Sequence, residues 1–435
     1  MAARRLATQI EEYFTPEVEF WEHEKLLGGG SWGIAILLKE KEHKFGKPLR
    51  IVIKVGSSLT GQAQLRLEMD RYKMINGAKH IIRMLGCVED RNPNESANRF
   101  PPLEFAFRAI LPINGPILAL EYLDGGDSTW FFGRMKDNGV RPPNRILWSM
   151  FLCLIRACIG MAFPIGASIF QESILEEVPT SGAPTNIRHN DIHPRNVMLA
   201  SGDHIDEHGM GTLFKIIDFG ASDNREGFSA GSADNIREIS QFMLYFITMI
   251  PSVIFRPGIY RGEQTAAGVI LHTPPAENPY PWLDPQLAGL LAECQYYDAS
   301  KRPGLEQLLA RAKFAVLNKV PESFPEPEYE TDEYIRDFHQ RSVTCSLTTS
   351  NMMLANIGDI IGTFSTSHDD QRLGLQDPPM GLRNSQHRKY DSVASQLFTI
   401  DGYLRYSNSM LPGYQAMPQG KLIYWPLVDQ AAEDM

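Results

Sequence analysis

Residues 188–199 read RHNDIHPRNVML, and residues 213–220 read LFKIIDFG. The first segment is a polar loop that enters a short apolar run, and the second is an apolar run typical of a short buried β-strand. Four of the polar residues in these two segments matter most, in the order His189, Asp191, Asn196 and Asp218. The order and spacing of these residues decide which fold is expected for the rest of the chain.

The sequence before these segments predicts a β-rich region with one main helix. Runs of β-branched and aromatic residues, separated by Gly and Pro, predict strands at about 35–40, 50–55, 103–110 and 116–123. A helix is predicted at residues 62–76, where an apolar face that could pack on the sheet recurs at helical spacing: Leu65, Met69, Tyr72 and Ile75.

After Gly126 the pattern changes to longer helices, predicted at about 144–163, 234–250, 284–297 and 304–318. The chain is therefore predicted to be α+β, with an antiparallel sheet in its first part and mostly helices in its second. The expected organisation is an N-terminal extension, a strand-rich lobe, a helical lobe, and an acidic, partly disordered C-terminal tail, at residues 1–19, 20–125, 126–318 and 319–435.

A glycine-rich loop lies between the first predicted strands. Gly28, Gly30 and Gly33 form a G-x-G-x-x-G pattern, in which glycines let backbone amides approach phosphate oxygens. Taken alone the pattern also suits a glycine-rich hairpin. It is not a dinucleotide-binding fingerprint, because a strand follows it instead of a helix.

Lys54 ends the apolar strand IVIK, where an unpartnered ammonium would be costly to bury. Glu68 on the predicted helix is placed to pair with it, and the ammonium could then also contact phosphate oxygens. The alternative is a lysine on an edge strand with its head group in water.

His189-x-Asp191-x4-Asn196 and Asp218-Phe219-Gly220, taken in order with the glycine loop and Lys54, resemble the signature set of protein kinases. The resemblance implies a two-lobed kinase-like fold, with ATP and Mg²⁺ as cofactors. It implies that Asp191 is the catalytic base, that Asn196 and Asp218 hold the metal, and that Lys54 and Glu68 position the phosphates.

The resemblance extends to an adenine site. ILALEYLDGGD at 117–127 is similar to the kinase hinge, which implies Leu120 as gatekeeper, backbone contacts from Glu121 and Leu123, and a ribose contact from Asp127. Apolar side chains that would sandwich the base are Ala35, Val52 and Met198. Each of these residues, taken alone, is equally explained by core packing. In the second lobe, Asp234 is similar to the aspartate that braces the kinase catalytic loop.

Three departures from the kinase pattern concern the substrate. The span from Gly220 to Asp234 is too short for a full peptide-docking segment, so the usual glutamate partner of Arg302 is expected to be missing. Asn190 replaces an arginine that would pair with a phosphorylated loop, so switching by phosphorylation there is not expected. His193, a further catalytic candidate, replaces a lysine, and Asp-x-His-Pro-x-Asn is similar to aminoglycoside and choline phosphotransferases.

Composition narrows the remaining possibilities. The 435 residues carry a formal net charge of −10, which argues against nucleic acid as the main partner. Five cysteines without a C-x-x-C pair do not resemble a disulfide framework, and the N-terminus does not resemble a secretory signal, so an intracellular location, cytoplasmic or nuclear, is expected. The most apolar stretch, 146–170, is interrupted by Arg, Gly and Pro and predicts a buried helix instead of a membrane span. His204 and His208 have metal-pair spacing, but a solvated hairpin is the better interpretation.

Two functions stay open on the sequence. The first is a kinase-like phosphotransferase that moves the γ-phosphate of ATP to a hydroxyl, with protein Ser/Thr favoured over a small molecule as acceptor. The second is a pseudokinase, a nucleotide-binding or protein-interaction module. The overall pattern also resembles uncharacterised kinase-domain proteins of fungi, which favours neither.

Overall fold

The computed structural model describes residues 2–29, 32–42, 48–89, 101–110, 112–113, 115–200, 207, 213–224, 230–250, 256–272 and 277–341. The first part, here called the sheet region, holds five strands, all paired antiparallel in the order β1-β2-β3-β5-β4. These strands are β1 Trp21–Gly29, β2 Gly33–Glu40, β3 Arg50–Gly56, β4 Met84–Val88 and β5 Ile117–Glu121. The sheet region also includes the helices α1 Ala2–Tyr13, α2 Leu59–Ile75 and α3 Pro101–Ala109.

The second part, here called the helical region, holds α4 Ser128–Asp137, α5 Asn144–Ala162, α6 Ala230–Thr248, α7 Pro285–Cys294, α8 Leu305–Asn318 and α9 Asp332–His339. Three short antiparallel ribbons accompany these helices, namely β6 Ile187–Arg188 with β9 Asp223–Asn224, β7 Val197–Ala200 with β8 Leu213–Ile216, and β10 Gly258–Tyr260 with β11 Glu263–Thr265. The predicted α+β class and antiparallel sheet are confirmed.

Most of the predicted elements occur. The helix predicted at 62–76 is α2, and its predicted apolar face is no more than 6% exposed. Its start is fixed by Ser58, whose hydroxyl accepts a hydrogen bond from the amide of Gly61 at 3.1 Å. The four long helices predicted after Gly126 correspond to α5, α6, α7 and α8.

The predicted strand at 103–110 is wrong, because these residues lie in and directly after helix α3. Two prolines open the helix at 101–102, where the missing amide hydrogens cost nothing. Glu104 and Arg108 form an ion pair one turn apart. The buried side chains recur at helical spacing: Leu103, Ala106, Phe107 and Ile110.

Helix α5 is the centre of the helical region and packs against α6, α8 and β8. By length and composition it is the one helix in the described residues that could cross a membrane. However, 94% of its most apolar 18-residue stretch is buried inside the protein. This burial is expected of a core helix. The four cysteines that the structure describes are free thiols, and three of them are buried: Cys153, Cys158 and Cys294.

Buried polar contacts tie α5 and the segment after it to their surroundings. The fully buried Arg156 of α5 donates to both carboxylate oxygens of Glu207, at 2.6 and 2.5 Å. Glu176, in the segment between α5 and β6, contacts the ring of His80 at 2.7 Å, and both side chains are buried. Arg156 also donates to the backbone carbonyl of Glu176, so these four residues form one network.

The helical region meets the sheet region through backbone hydrogen bonds that place the site. Ile216 at the end of β8 accepts from the amide of Ile82 at 3.0 Å and donates to the carbonyl of His80 at 2.9 Å. The residues that follow β8, beginning with Ile217, are thereby held beside α2.

Packing continues beyond the boundary predicted at residue 318. Phe324, Ile335 and Phe338 are buried, and Phe338 lies edge-on against Phe131 of α4 at 5.9 Å between ring centroids. The rest of the predicted tail, from residue 342, lies outside the described residues, as do His204 and His208.

Candidate functional site

A buried ion-pair cluster joins three residues that are far apart in the sequence. Lys54 on β3 donates to Glu68 of α2 at 2.7 Å and to Asp218, just after β8, at 3.2 Å. The three side chains are 14%, 6% and 21% exposed, in that order. The strand places Lys54 between Ala35 on β2 and Leu118 on β5, so it is not on an edge strand. The sequence predicted the pairing with Glu68, and the structure brings both residues together with Asp218.

The charges in this cluster shift one another's pKa values. Burial alone would lower the pKa of the Lys54 ammonium, but the two carboxylates outweigh it and raise that pKa. Burial alone would raise the pKa of Asp218, yet Lys54 lowers it, so Asp218 stays ionised. Burial, together with the nearby Asp218 charge, raises the pKa of Glu68 to about 7 against the effect of Lys54. The cluster therefore holds the Lys54 cation, the Asp218 carboxylate, which stays charged, and the Glu68 carboxylate, which titrates near neutrality.

The backbone at Asp218 is in the left-handed region, with φ 63° and ψ 77°. A non-glycine residue holds this conformation only where its surroundings fix it. The amide of Asp218 donates to the hydroxyl of Tyr72 on α2 at 3.2 Å. The next residue, Phe219, is buried edge-on between the rings of Tyr72 and His189, at 5.4 and 4.8 Å between centroids. Tyr72 on α2 and His189 in the Asp191 loop thus orient the Asp218 carboxylate.

The loop that carries Asp191 is braced through His189, which is fully buried. Its Nε2 lies 2.9 Å from the carbonyl of Ile217, and its Nδ1 accepts from the amide of Asp191 at 3.2 Å. Burial lowers the pKa of His189, which suits the neutral ring with the proton on Nε2 that these contacts require. The ring therefore links the loop directly to the residue before Asp218.

Helix α6 braces the same loop through two neighbouring residues. The amide of His189 donates to Asn235 Oδ1 at 3.0 Å, and Asn235 Nδ2 donates to the carbonyl of Ile187 at 2.8 Å. The predicted residue, Asp234, accepts from Arg188 Nη1 at the start of the loop at 3.3 Å, and it lies 3.8 Å from Arg302.

Asp191 is partly exposed and is held by two neighbours. Asn196 Nδ2 donates to the Asp191 carbonyl at 2.9 Å and to its Oδ2 at 3.1 Å. His193 Nδ1 accepts from the amide of Arg195, which leaves Nε2 to face Asp191 Oδ1 at 3.5 Å. Since 33% of the Asp191 side chain is exposed, one carboxylate oxygen stays accessible to an incoming hydroxyl.

The oxygens that remain are suited to Mg²⁺. Asn196 uses its NH₂ group on Asp191, so its Oδ1 points its lone pairs elsewhere, and Asp218 is kept charged by Lys54. The described residues contain no group of three or more His, Cys, Asp or Glu that could hold a metal by themselves. Mg²⁺ usually takes only one or two carboxylates and completes its shell with water and substrate phosphates, so the donor set fits.

The four residues after Phe219 are tied down by side chains from three elements. Gln64 of α2 donates to the carbonyl of Gly220, and Asn190 donates to the carbonyl of Ala221 at 3.0 Å. Arg188 binds both carboxylate oxygens of Asp223, at 3.1 and 2.8 Å, where β6 pairs with β9. We call residues 220–223 the strap. It connects α2, the Asp191 loop and the segment after Asp218.

Arg302, whose usual glutamate partner was expected to be missing, is bound mainly by backbone carbonyls. Its Nη1 donates to the carbonyl of Ala233 at 2.8 Å and its Nε to the carbonyl of Tyr296 at 3.0 Å. Asp234 lies 3.8 Å away, so backbone carbonyls and one carboxylate take the place of the single carboxylate that the kinase pattern implies.

The predicted glycine loop is described in part. Gly28 and Ala35 face each other where β1 pairs with β2, and Gly30 lies outside the described residues. Gly33 is required by close packing, because a Cβ there would lie 2.3 Å from the carbonyl oxygen of Val55.

The predicted adenine residues lie together on and beside the sheet. Five of them are apolar and at most 5% exposed: Ala35, Val52, Leu120, Leu123 and Met198. Val52 pairs with Leu120, and Met198 pairs with Asp127 through a single bridge. The side chain of Glu121 points into the interior and binds Lys215 at 2.5 Å. Asp127 caps helix α4 by accepting from the amide of Trp130 at 2.9 Å.

Several residues at the site had no local signal in the sequence. Four of them act through contacts across the fold, namely Asn235, which binds the Asp191 loop, Gln64 and Arg188, which bind the strap, and Tyr72. Glu238 of α6 also lies behind the Asp191 loop and accepts from the amide of Ile192 at 3.4 Å. Tyr72 was predicted as part of the apolar face of α2, and Gln64 and Arg188 lie in predicted segments but were given no role there.

No protein-family model matches the chain, and no curated protein sequence matches it significantly.

Proposed function

We propose that this chain is an ATP- and Mg²⁺-dependent phosphotransferase with a two-lobed, protein-kinase-like arrangement of its sheet and helical regions. The observation that carries the proposal is the contact of Lys54 with both Glu68 and Asp218, across 14 and 164 residues of sequence. A buried lysine fixed by one carboxylate and facing another, beside a glycine-rich turn, is what a phosphate-binding site needs.

Each residue would have a separate role in transferring the γ-phosphate to a hydroxyl. Lys54 would contact the α- and β-phosphates while Glu68 holds its ammonium in place. Asp191, partly exposed and oriented by Asn196, would take the proton of the acceptor hydroxyl. Asn196 and Asp218 would hold Mg²⁺, which supplies charge neutralisation at the phosphates when bound. His193, whose Nε2 faces Asp191 Oδ1, would help to orient that carboxylate towards the acceptor hydroxyl.

We propose protein Ser/Thr side chains as acceptors before small molecules. The strap is held in place by Asn190 and Arg188 and is followed closely by α6, so an acceptor would approach Asp191 from the side of α4 and Arg195. An intracellular location goes with this proposal, because ATP is the phosphate donor.

A second candidate is a nucleotide-binding or protein-interaction module without turnover. The observation in its favour is the burial of the residues proposed to sandwich adenine, since Val52 and Met198 are not exposed at all. A base could enter between them only if these side chains separate.

The test compares the wild-type chain with Asp191→Asn and Asp218→Asn, and uses Asp70→Asn, a carboxylate with 65% of its side chain exposed on α2, as matched control. Mg·ATP is expected to raise the melting temperature of the wild type, of Asp191→Asn and of the control, because a ligand that binds the folded state stabilises it. Asp218→Asn is expected to lose the Mg²⁺-dependent part of this shift.

ADP release in the presence of peptide and metabolite pools then separates the two candidates. An active phosphotransferase is expected to lose roughly 10²–10⁴-fold in rate in Asp191→Asn, the usual contribution of general-base catalysis. Binding without ADP release in the wild type would support the module, and absence of any nucleotide-dependent shift would refute both candidates.

A further inference from the structure

An open groove of about 330 Å³ lies beside the loop that carries Asp191. One wall is Arg195, which belongs to the short 3-10 turn Pro194–Asn196 between His193 and the end of the loop. The rest of the lining comes from Asp127 and from α4, including Trp130, Arg134 and Asp137. The groove thus runs from the proposed catalytic loop to the outer face of α4.

The described part of the chain ends at this groove. The backbone carbonyl of Arg341 accepts from Arg134 Nη2 at 2.7 Å and from Asn138 Nδ2 at 3.5 Å. The same Arg134 guanidinium lies over the ring of Trp130, 5.5 Å from its centroid. The described part of the chain therefore ends at Arg341, whose carbonyl is hydrogen-bonded to Arg134 in the wall of the groove.

The sequence that follows is rich in hydroxyl groups. Residues 342–350 read SVTCSLTTS, and six of the nine are Ser or Thr. Residues 342–358 contain no charged side chain, so this stretch carries nothing that would be repelled by either Arg195 or the nearby carboxylates. Because an extended residue spans up to about 3.5 Å, nine residues reach about 30 Å, several times the width of a groove of this volume. Nine residues after Arg341 are therefore long enough to span the groove.

We propose that the Ser/Thr segment 342–350 is a phosphate acceptor for the site on its own chain. This proposal rests on the proposed function. In the step, a Ser or Thr Oγ attacks the γ-phosphorus of ATP, and the new Oγ–P bond forms as the bond to the bridging oxygen breaks. The hydroxyl proton goes to Asp191 and ADP leaves with the electron pair of the broken bond.

Arg195 would bind the product of this reaction. Its side chain is exposed, and its guanidinium donates no hydrogen bond to any residue that the structure describes. A phosphate placed next to an arginine forms short, charge-assisted hydrogen bonds. The two aspartates and two arginines that line the groove balance in charge, so an uncharged segment is not repelled there, and Arg195 is the cation for the modified segment.

The experiment incubates the purified full chain with Mg·ATP and follows phosphate incorporation by intact mass and peptide mapping. Phosphate is expected within residues 342–350, with a rate per molecule that does not change on about tenfold dilution, because a tethered acceptor has a fixed effective concentration. Replacing all six Ser/Thr residues by Ala is expected to remove this incorporation. Ala at Thr363, Ser365, Thr366 and Ser367, the next hydroxyl cluster, is the matched control and is expected to leave it intact.

A second pair of variants tests the anchor. Arg134→Ala removes the charged donor to Arg341 and is expected to slow incorporation by about tenfold, the size of effect for one hydrogen bond to a charged group. Lys136→Ala, an exposed residue of the same helix, is expected to have no effect.

Phosphate found only outside 342–350, or a rate per molecule that falls in proportion to dilution, overturns the proposal. If the chain releases ADP with other acceptors while residues 342–350 stay unmodified, this inference fails and the proposed function stands. If Mg·ATP neither binds nor turns over, both fail together.

Discussion

Replacing Glu238 by Gln is expected to make the protein more stable at alkaline pH and to leave its stability unchanged in acid. Glu238 lies on α6 behind the Asp191 loop, where its carboxylate accepts from the amide of Ile192. Burial raises its pKa to about 7, and the neighbouring charges of Asp191 and Asp234 act in the same direction, whereas Arg188 opposes them. Above that pH the folded protein must hold a charged carboxylate in a poorly solvated position.

The sign and size follow from the two pKa values. The pKa of an unperturbed Glu is 4.5, so the folded state binds this proton more tightly than the unfolded state does. The resulting stabilisation is fully present below about pH 4.5 and is lost as the pH rises through about 7. At about 1.36 kcal/mol per pH unit the full difference would be about 3 kcal/mol, and partial exposure of the carboxylate reduces it to about 1–2 kcal/mol. Gln keeps an oxygen for the amide of Ile192 and does not titrate.

The measurement is urea unfolding of the wild type and of Glu238→Gln at about pH 5, 6, 7 and 8, with the free energy of unfolding compared at each pH. Glu306→Gln, an exposed carboxylate in the first turn of α8, serves as control and is expected to show no such trend. The reasoning is refuted if the two proteins differ by the same amount at every pH. A wild type that gains stability relative to the variant as the pH rises would refute it as well.

Three further changes test other parts of the fold. Either single charge reversal, at Arg188 or at Asp223, is expected to lower the free energy of unfolding, and exchanging the two charges is expected to restore about 1 kcal/mol of it. A double-mutant cycle that shows no coupling would contradict the ion pair that holds the strap. Gly61→Ala would place a Cβ 1.8 Å from the carbonyl oxygen of Trp32 and is expected to destabilise the sheet region by more than about 2 kcal/mol. An unchanged melting temperature would show that the Trp32 carbonyl does not lie against Gly61. Arg156→Met would remove the main partner of the buried Glu207 carboxylate, which then has Lys313 at 3.9 Å, and is expected to cost about 3–5 kcal/mol in denaturant unfolding. A loss below about 1 kcal/mol would argue against the buried pair.

The sequence predicted best where a single physical requirement was strong. An ammonium at the end of an apolar strand requires a buried anion, and Glu68 was the carboxylate one helix later that could reach it. The apolar stripe of α2 and the long apolar run of α5 likewise have only one way to be buried.

The failure at residues 103–110 has an equally physical cause. The sequence LEFAFRAI places apolar residues at alternating positions and also at helical spacing, so periodicity alone cannot separate strand from helix. The decisive signals were the prolines at 101–102 and the Glu104–Arg108 pair, which favour a helix start and a helix face.

The supporting contacts of the site could not be predicted because they depend on how elements meet. The contact of α6 with His189 comes from Asn235 instead of Asp234, a difference of one position that rotates the contact by about 100° around the helix. An amide at that position both accepts from the loop and donates to it, which a carboxylate cannot do. Nothing in the local pattern distinguishes the two neighbouring residues.

The pair between Arg188 and Asp223 also bears on how long the site stays assembled. A phosphate on a loop can be added and removed within the lifetime of the protein, but the Asp223 carboxylate is encoded and remains for as long as the chain exists. The strap is thus in place from the moment the chain has folded, with no enzyme needed to form it and none able to reverse it.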